Sequence, residues 1–472
     1  MRTLAAIMLG AGALAACSVG PEYQRPDLDV PRAYRFQQEA PAAKSFADPG
    51  WWEVYRDPQL QGLLRAALEN NRDVKIAAAR VAEARAQVGV SRLAQFPRVD
   101  VAVGDTRQRT LQVGRYATFE VASGLAQASF EVDLWQRLAS LSDAAKASLL
   151  ATEYARDAVR AGLVSDVAVA YFNLLALDRQ LRITQSTIAN SEKFLSLTRL
   201  RFDRGAASSL DVNRAEASLA SVKANQSDIE RQIAQTENQM QILLGKNPDG
   251  LARGKLDDAA IAVPPEIPAG IPSALLERRP DLRQAEAGLI GATANVQAAK
   301  AALFPTIALT GSYGSQSLAF SRLFSGGSQV WSYGLNFMLP ILDLQRNGYQ
   351  VDAAKMREQQ ALLQYQGAVA QAFREVSDAL VAAQRYNDFL REQERQVSSL
   401  QQAYAHVLQR YEVGYSSYFE VIDASNSLYA AEMLRAQAWR NRLVALVQLY
   451  KALGGGWEIA ASPAANTVGA TP

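Results

Sequence analysis

Two long stretches of this chain contain no proline: none stands between Pro97 and Pro248, and none between Pro340 and Pro463. Proline lacks a backbone N–H and blocks a helix interior, so these stretches leave room for helices longer than a globular core uses. Gln136 to Arg204 is expected to form one helix, about 100 Å long at about 1.5 Å per residue, and a second is expected from Leu344. Along the second, Ala383, Tyr386, Leu390, Gln393, Val397, Leu400, Tyr404, Val407 and Tyr411 are spaced three and four apart, the seam of a coiled coil. The seam stops before Gly414, and Ser417-x-x-Glu420 then reads as the capping box of a helix that runs back.

The arrangement occurs twice. Arg201-Phe-Asp-Arg-Gly205, followed by Ser208 and Asp211, answers Arg410-Tyr-Glu-Val-Gly414, followed by Ser417 and Glu420, at an offset of 209 positions. The seam repeats in register as Leu174, Leu177, Leu181, Thr184, Ile188, Ser191, Leu195, Thr198 and Phe202. Phe96-Pro97 answers Phe304-Pro305, and Asp73 answers Asp281, at an offset of 208. This is the duplication of one large unit, not a short-period solenoid. The return helix Ser209–Leu244 reaches only half as far as its partner, so Leu60–Gln95 and Ser273–Leu303 are expected to fill the remaining length.

Each Phe-Pro opens a short β segment. Val99, Val101 and Val103 alternate with polar or small neighbours, and a partner strand is expected at about Phe119–Trp135. In the second copy Ile307, Leu309 and Tyr313 share one face, and Trp331, Tyr333, Leu335, Phe337, Leu339 and Ile341 alternate with mostly polar or small residues. Aromatic-flanked alternation of this kind fits a tilted membrane strand or a half-buried soluble hairpin. If the strands span a bilayer, the chain is an oligomer: four strands fall short of the smallest common barrel, about eight, and an open edge cannot face lipid.

Composition excludes much else. A net charge of +2 over 472 residues, with no basic run interleaved with aromatics, gives no footprint for nucleic acid. One histidine, His406, and one cysteine leave little material for a metal site or a nucleophile–base pair, so no catalytic or metal-ligating residue is expected. The cysteine has its own explanation. Arg2, the apolar run Leu4–Leu14 and Leu14-Ala-Ala-Cys17 resemble a lipoprotein signal, in which Cys17 becomes the acylated N-terminus. Ser18 follows it in place of the aspartate of inner-membrane retention. No apolar run after the signal is expected to reach the length of a membrane helix, about 20 residues.

Cys17-Ser-Val-Gly-Pro-Glu-Tyr-Gln-Arg-Pro26, then Trp51-Trp52, Asp57-Pro58, Leu60, Leu63, Leu64, Leu68 and Asn71, resemble the start of the lipoprotein branch of the outer-membrane factor family, the TolC-like exit ducts of tripartite efflux pumps. The resemblance implies a mainly α fold with a small membrane β part: duplicated long helical hairpins and four β-strands per chain, three chains sharing a 12-stranded barrel and a helical tunnel. It implies an outer-membrane, lipid-anchored passive channel that exports drugs or metal ions, with no cofactor beyond the covalent lipid. The implied partners are two further copies of the chain, a periplasmic adaptor, an inner-membrane RND-type transporter and outer-membrane lipid. The expected divisions are a signal segment 1–16, a lipidated arm 17–59, repeat one 60–245, a connector 246–272, repeat two 273–455 and a tail 456–472.

The family closes its tunnel with an Asp-x-x-Asp constriction at the second turn, matched here by Glu420-x-x-Asp423, while Tyr411 and Asp211 match a tyrosine and an acid that link neighbouring hairpins. Capping alone also accounts for Asp211 and Glu420. Asp423 lies one turn further on, where a like charge at i, i+3 repels Glu420. The family's latch arginine falls on Ser416, so its particular latch bonds do not carry over; Arg201, Arg204 and Arg410 stand as substitute latch groups or as surface charge. Gly205 and Gly414 mark the turns on which an adaptor would dock. Two other readings stay open, a type I secretion duct and a non-porous lipid-anchored coiled-coil spacer.

Overall fold

A computed structural model of the chain describes residues 20–37, 45–112, 114–253 and 268–457. Cys17 and the signal segment, residues 254–267 of the connector and the tail from 458 lie outside the described residues. The main helices are α1 (Pro58–Asn70), α2 (Arg72–Leu93), α3 (Arg137–Asp203), α4 (Ser209–Leu243), α5 (Pro280–Ala301), α6 (Leu344–Glu412) and α7 (Tyr418–Ala452). The strands are β1 (Arg98–Gln112), β2 (Arg115–Glu131), β3 (Thr306–Ser317) and β4 (Gln329–Met338). Two compact units result, each drawing on both repeats: Met1–Leu28, Ala79–Glu153 and Gln284–Gly367 form one, and Asp29–Ala78, Tyr154–Arg283 and Ala368–Pro472 the other.

In the first unit the strands form one antiparallel sheet in the order β1-β2-β3-β4, so the two repeats join through β2 and β3. Register decides which residues share a face, because cross-strand partners point the same way. Val99, Val101 and Val103 pair with Ala128, Ala126 and Gly124. Ala128 and Ala126 pair with Gly311 and Tyr313, which pair in turn with Tyr333 and Trp331. In the Val99 and Val101 rows this face is therefore apolar and aromatic across all four strands, while the Val103 row continues to Ser315 and Gln329. The other reads Asp100, Gln127, Ser312 and Ser332 in one row, and the Ser312 and Ser332 hydroxyls are 2.8 Å apart. Trp331 and Tyr333 are exposed, and their rings stack 5.7 Å apart. Among the described residues, β1 and β4 keep their outer edges unpaired.

The strands differ from expectation in extent. β2 lies four residues earlier than expected, and Trp135 leaves the strand to stack on Phe304 at 4.8 Å and donate Nε1–H to the Pro305 carbonyl. β4 ends at Met338, since Pro340 cannot donate to a ladder, so Leu339 and Ile341 fall outside it. The single helix expected over Leu60–Gln95 is two. Asn71 breaks it, its Oδ1 accepting from the Asp73 and Val74 N–H groups while its Nδ2 donates to the Leu243 carbonyl.

In the second unit α3, α4, α6 and α7 supply two helical hairpins. The expected seams bury Leu174, Thr184, Leu195 and Thr198 on α3 and Ala383, Leu390, Val397 and Tyr411 on α6. An aromatic centre holds the chain start against the hairpins: Phe172 packs edge-on to Trp439, and Tyr55 packs edge-on to Tyr450. Asp57 caps α1 and accepts the Tyr171 hydroxyl at 2.5 Å. Contrary to expectation, α3 contains a stretch long and apolar enough by composition to cross a bilayer, but 67% of that stretch is buried inside the protein. Its apolar residues serve as core.

Candidate functional site

Each hairpin turns in the same way. α3 ends at Gly205, with φ of +77°, and α6 ends before Gly414, with φ of +85°. This left-handed conformation costs glycine little and lets the next two N–H groups reach back. The Gly205 and Ala206 N–H groups donate to the Phe202 and Arg201 carbonyls, and those of Gly414 and Tyr415 donate to the Tyr411 and Arg410 carbonyls. The return helices then start with matching caps. Ser208 Oγ accepts from the Asp211 N–H while Asp211 Oδ2 accepts from Ser208 N–H at 3.1 Å and from its hydroxyl at 2.7 Å. Ser417 Oγ accepts from the Glu420 N–H, and Glu420 Oε1 accepts both Ser417 donors at 3.2 Å. The Ser417 backbone N–H and hydroxyl hold the exposed Glu420 carboxyl below its usual range.

The space between the turns is a packed core, not a void. Leu195, Ala215, Leu219, Tyr411, Tyr418 and Val421 bury one another, so four helices of the two hairpins meet here. Tyr411 is 5% exposed, and its ring lies 6.0 Å from that of Tyr418. Burial pushes the Tyr418 hydroxyl up to about 12. The Arg201 guanidinium covers the Tyr411 ring at 4.3 Å, and Arg214 lies over Phe419 at 5.4 Å. Both cations come from the first hairpin and both rings from the second. Such contacts contribute about 0.5 to 1 kcal/mol at exposed sites and more when desolvated.

The expected site residues thus divide. Asp211 and Glu420 are occupied as caps, and Tyr411 is a seam residue beneath Arg201. Asp423 is exposed and, among the described residues, has no hydrogen bond or ion pair. Arg410 donates to the Tyr415 carbonyl at 3.2 Å, and Arg204 is exposed. One residue escaped sequence reasoning. Arg214 stands 209 positions before Asp423, so duplication places a cation in the first hairpin where the second carries its free acid. The offset alone could have shown this. Beside the turns, a groove of about 340 Å³ opens between α3 and α6, lined by Lys193, Phe194, Leu197, Tyr404, Leu408 and Glu412 among others.

Comparison with known proteins places this geometry in context. A family profile described as outer membrane efflux protein matches residues 63–246 and 271–455, one match per repeat. The chain is 35% identical over 453 residues to the cation efflux system protein CusC of Escherichia coli O6:H1, covering 94% of this chain and 97% of that one. It is 34% identical over 467 residues to the toluene efflux pump outer membrane protein TtgC of Pseudomonas putida, covering 97% and 96%. The crystal structure of the open state of the Neisseria gonorrhoeae MtrE outer membrane channel superposes with a TM-score of 0.85 at 31% identity, over 94% of this chain and 99% of that one.

Proposed function

The chain belongs to the outer membrane efflux protein family, the channel components of efflux systems, and we propose that it works as a homotrimer whose three sheets close one barrel. It resides in the outer membrane, performs no catalysis and uses no cofactor beyond a lipid, which we place on Cys17. One observation carries the trimer: a four-stranded sheet, apolar on one face across every strand, leaves β1 and β4 with open edges. Unpaired edge groups cannot face hydrocarbon, so β4 of one copy pairs with β1 of the next. Three such sheets give the twelve strands that the family resemblance implies. The apolar face meets lipid and the row containing Asp100, Gln127, Ser312 and Ser332 faces the bore.

The two repeats, 60–245 and 273–455, each contribute one helical hairpin to the tunnel wall. At the turns, Glu420 and Asp423 from three copies form rings of acids. Like charges about 6 Å apart repel by roughly 0.7 kcal/mol in water and by more where water is excluded, so the rings draw in cations and form a gate. Tyr411 and Asp211 frame that gate, Tyr411 by packing and Asp211 by capping. A periplasmic adaptor docks on the turns at Gly205 and Gly414 beside the 340 Å³ groove, and an inner-membrane RND-type transporter supplies the energy. Cargo is a small molecule or a metal ion, the classes found in the relatives' names. The purified protein should run in detergent as a heat-modifiable trimer and conduct in planar bilayers. A folded monomer, or an intact trimer that carries no current, would refute this reading.

A further inference from the structure

Helix α5 uses two opposite faces differently. Glu286 and Gln297 lie on one, where Glu286 accepts the Tyr23 hydroxyl at 3.1 Å and Arg25 Nη2 at 2.8 Å. Gln297 Nε2 donates to the Pro21 carbonyl, and a Cβ on Gly20 would fall 2.3 Å from Gln297 Cγ. The N-terminal arm therefore runs tightly along this face. With about 3.6 residues per turn, Gly288, Gly291, Asn295 and Ala299 lie on the far side of the same helix. There they line a groove of about 820 Å³ whose other walls include Arg137 of α3 and Arg357 of α6. An arm that ends in a membrane lipid must run outside a closed wall, so the groove on the opposite face looks into the bore.

Among the described residues, no carboxylate lines this groove. Arg137 is spent, its Nε and Nη2 donating to Glu131 Oε1 and Oε2 at 3.0 and 2.7 Å. Arg357 is exposed and, among the described residues, has neither an ion pair nor a hydrogen bond. The acids flanking it on α6 are engaged elsewhere, Asp352 with Lys355 and Glu358 with the Thr293 hydroxyl at 2.7 Å. Alanine and glycine on α5 leave width around Arg357.

We propose that Arg357, repeated in each copy, is a specificity-determining residue of the passage: a basic collar that concentrates solutes bearing a carboxylate or phosphate. The proposal rests on the trimeric-duct reading. A guanidinium fork matches both anions with paired hydrogen bonds, and a ring of arginines in a pore favours anions over cations. Small neighbours admit the bulk of an organic cargo while the collar holds its charged end.

The test is block of single-channel current by inorganic pyrophosphate added on the barrel side. The wild-type trimer should be blocked, Arg357→Gln should need at least about tenfold more pyrophosphate, as expected when a charge-assisted contact is lost, and Arg357→Lys should retain most of the block. Equal block of wild type and Arg357→Gln, or no block of wild type, overturns the collar while leaving the duct intact. Absence of current from intact trimers overturns the duct and the collar with it.

Discussion

Gly205 and Gly414 end their helices with the same left-handed residue and the same pair of hydrogen bonds, and Ser208 and Ser417 open the return helices with the same cap. The charges around them differ. Arg201–Arg214 contains three arginines and two aspartates, a net of +1, whereas Arg410–Asp423 contains one arginine and three acids, a net of −2. Backbone geometry was kept after duplication because both chains must reverse, and only glycine adopts that φ without strain. Charge was free to diverge. The first turn lends its cations to the rings of the second, through Arg201 on Tyr411 and Arg214 on Phe419, and the second turn is left with an unpaired acid. On the proposed reading, one hairpin acts as a frame and the other carries the gate.

Four pairs of substitutions at equivalent positions would break or sharpen that contrast. The largest effect is expected from Tyr411→Ala, which removes a buried ring between the hairpins and should destabilise the protein by about 3 to 5 kcal/mol. Its counterpart Phe202 is 45% exposed, so Phe202→Ala should stay within about 0.5 kcal/mol. Heat dissociation of the oligomer in detergent compares the two, and equal losses would contradict the asymmetry. Next, Asp423→Ala should raise resting conductance several-fold and relieve divalent-cation block, as for loss of a charged ring, whereas Arg214→Ala should leave block unchanged.

Arg201→Ala should cost about 1 kcal/mol through its aromatic partner, and Arg410→Ala less, since Arg410 makes one hydrogen bond at an exposed turn. Urea titration of the solubilised oligomer would rank them. The smallest contrast concerns the caps. Ser208→Ala and Ser417→Ala should each cost about 1 kcal/mol, a symmetric pair amid asymmetric ones. Glu420 has a folded pKa below its unfolded value, so the cap's stabilisation is present above the unfolded pKa and is lost as pH falls through the folded one. Ser417→Ala removes the hydroxyl but keeps the backbone N–H, the larger cause, so it should bring that pKa only part of the way back up in a carboxyl-resolved NMR titration; an unchanged value would remove the hydroxyl as a contributor.

Much of this was legible in the sequence, for physical reasons that also explain what was not. Missing prolines gave the long helices, and the 209-residue offset gave the paired turns, because helix interiors and reversals each demand particular residues. In the sequence Asn71 reads as one more helical position, since its break depends on the Leu243 carbonyl of a distant helix. The β2 pattern reads late because Ala122, Gly124, Ala126 and Ala128 carry little hydrophobic signal; the strand is held by pairing on both sides. The apolar side of the first repeat needed register as well, because alanine and glycine reveal a face only through the valines and aromatics opposite them. At the turns, composition showed the acids, but only three-dimensional contact showed Tyr411 under Arg201.

Side-specific cation block in planar bilayers tests the division of labour most directly. Purified trimers should carry steady current that divalent cations reduce when added on the side of the helical turns, and Asp423→Ala should abolish that reduction while Arg214→Ala preserves it. Block that survives in Asp423→Ala, or that disappears equally in Arg214→Ala, would contradict a gate carried by the second hairpin alone.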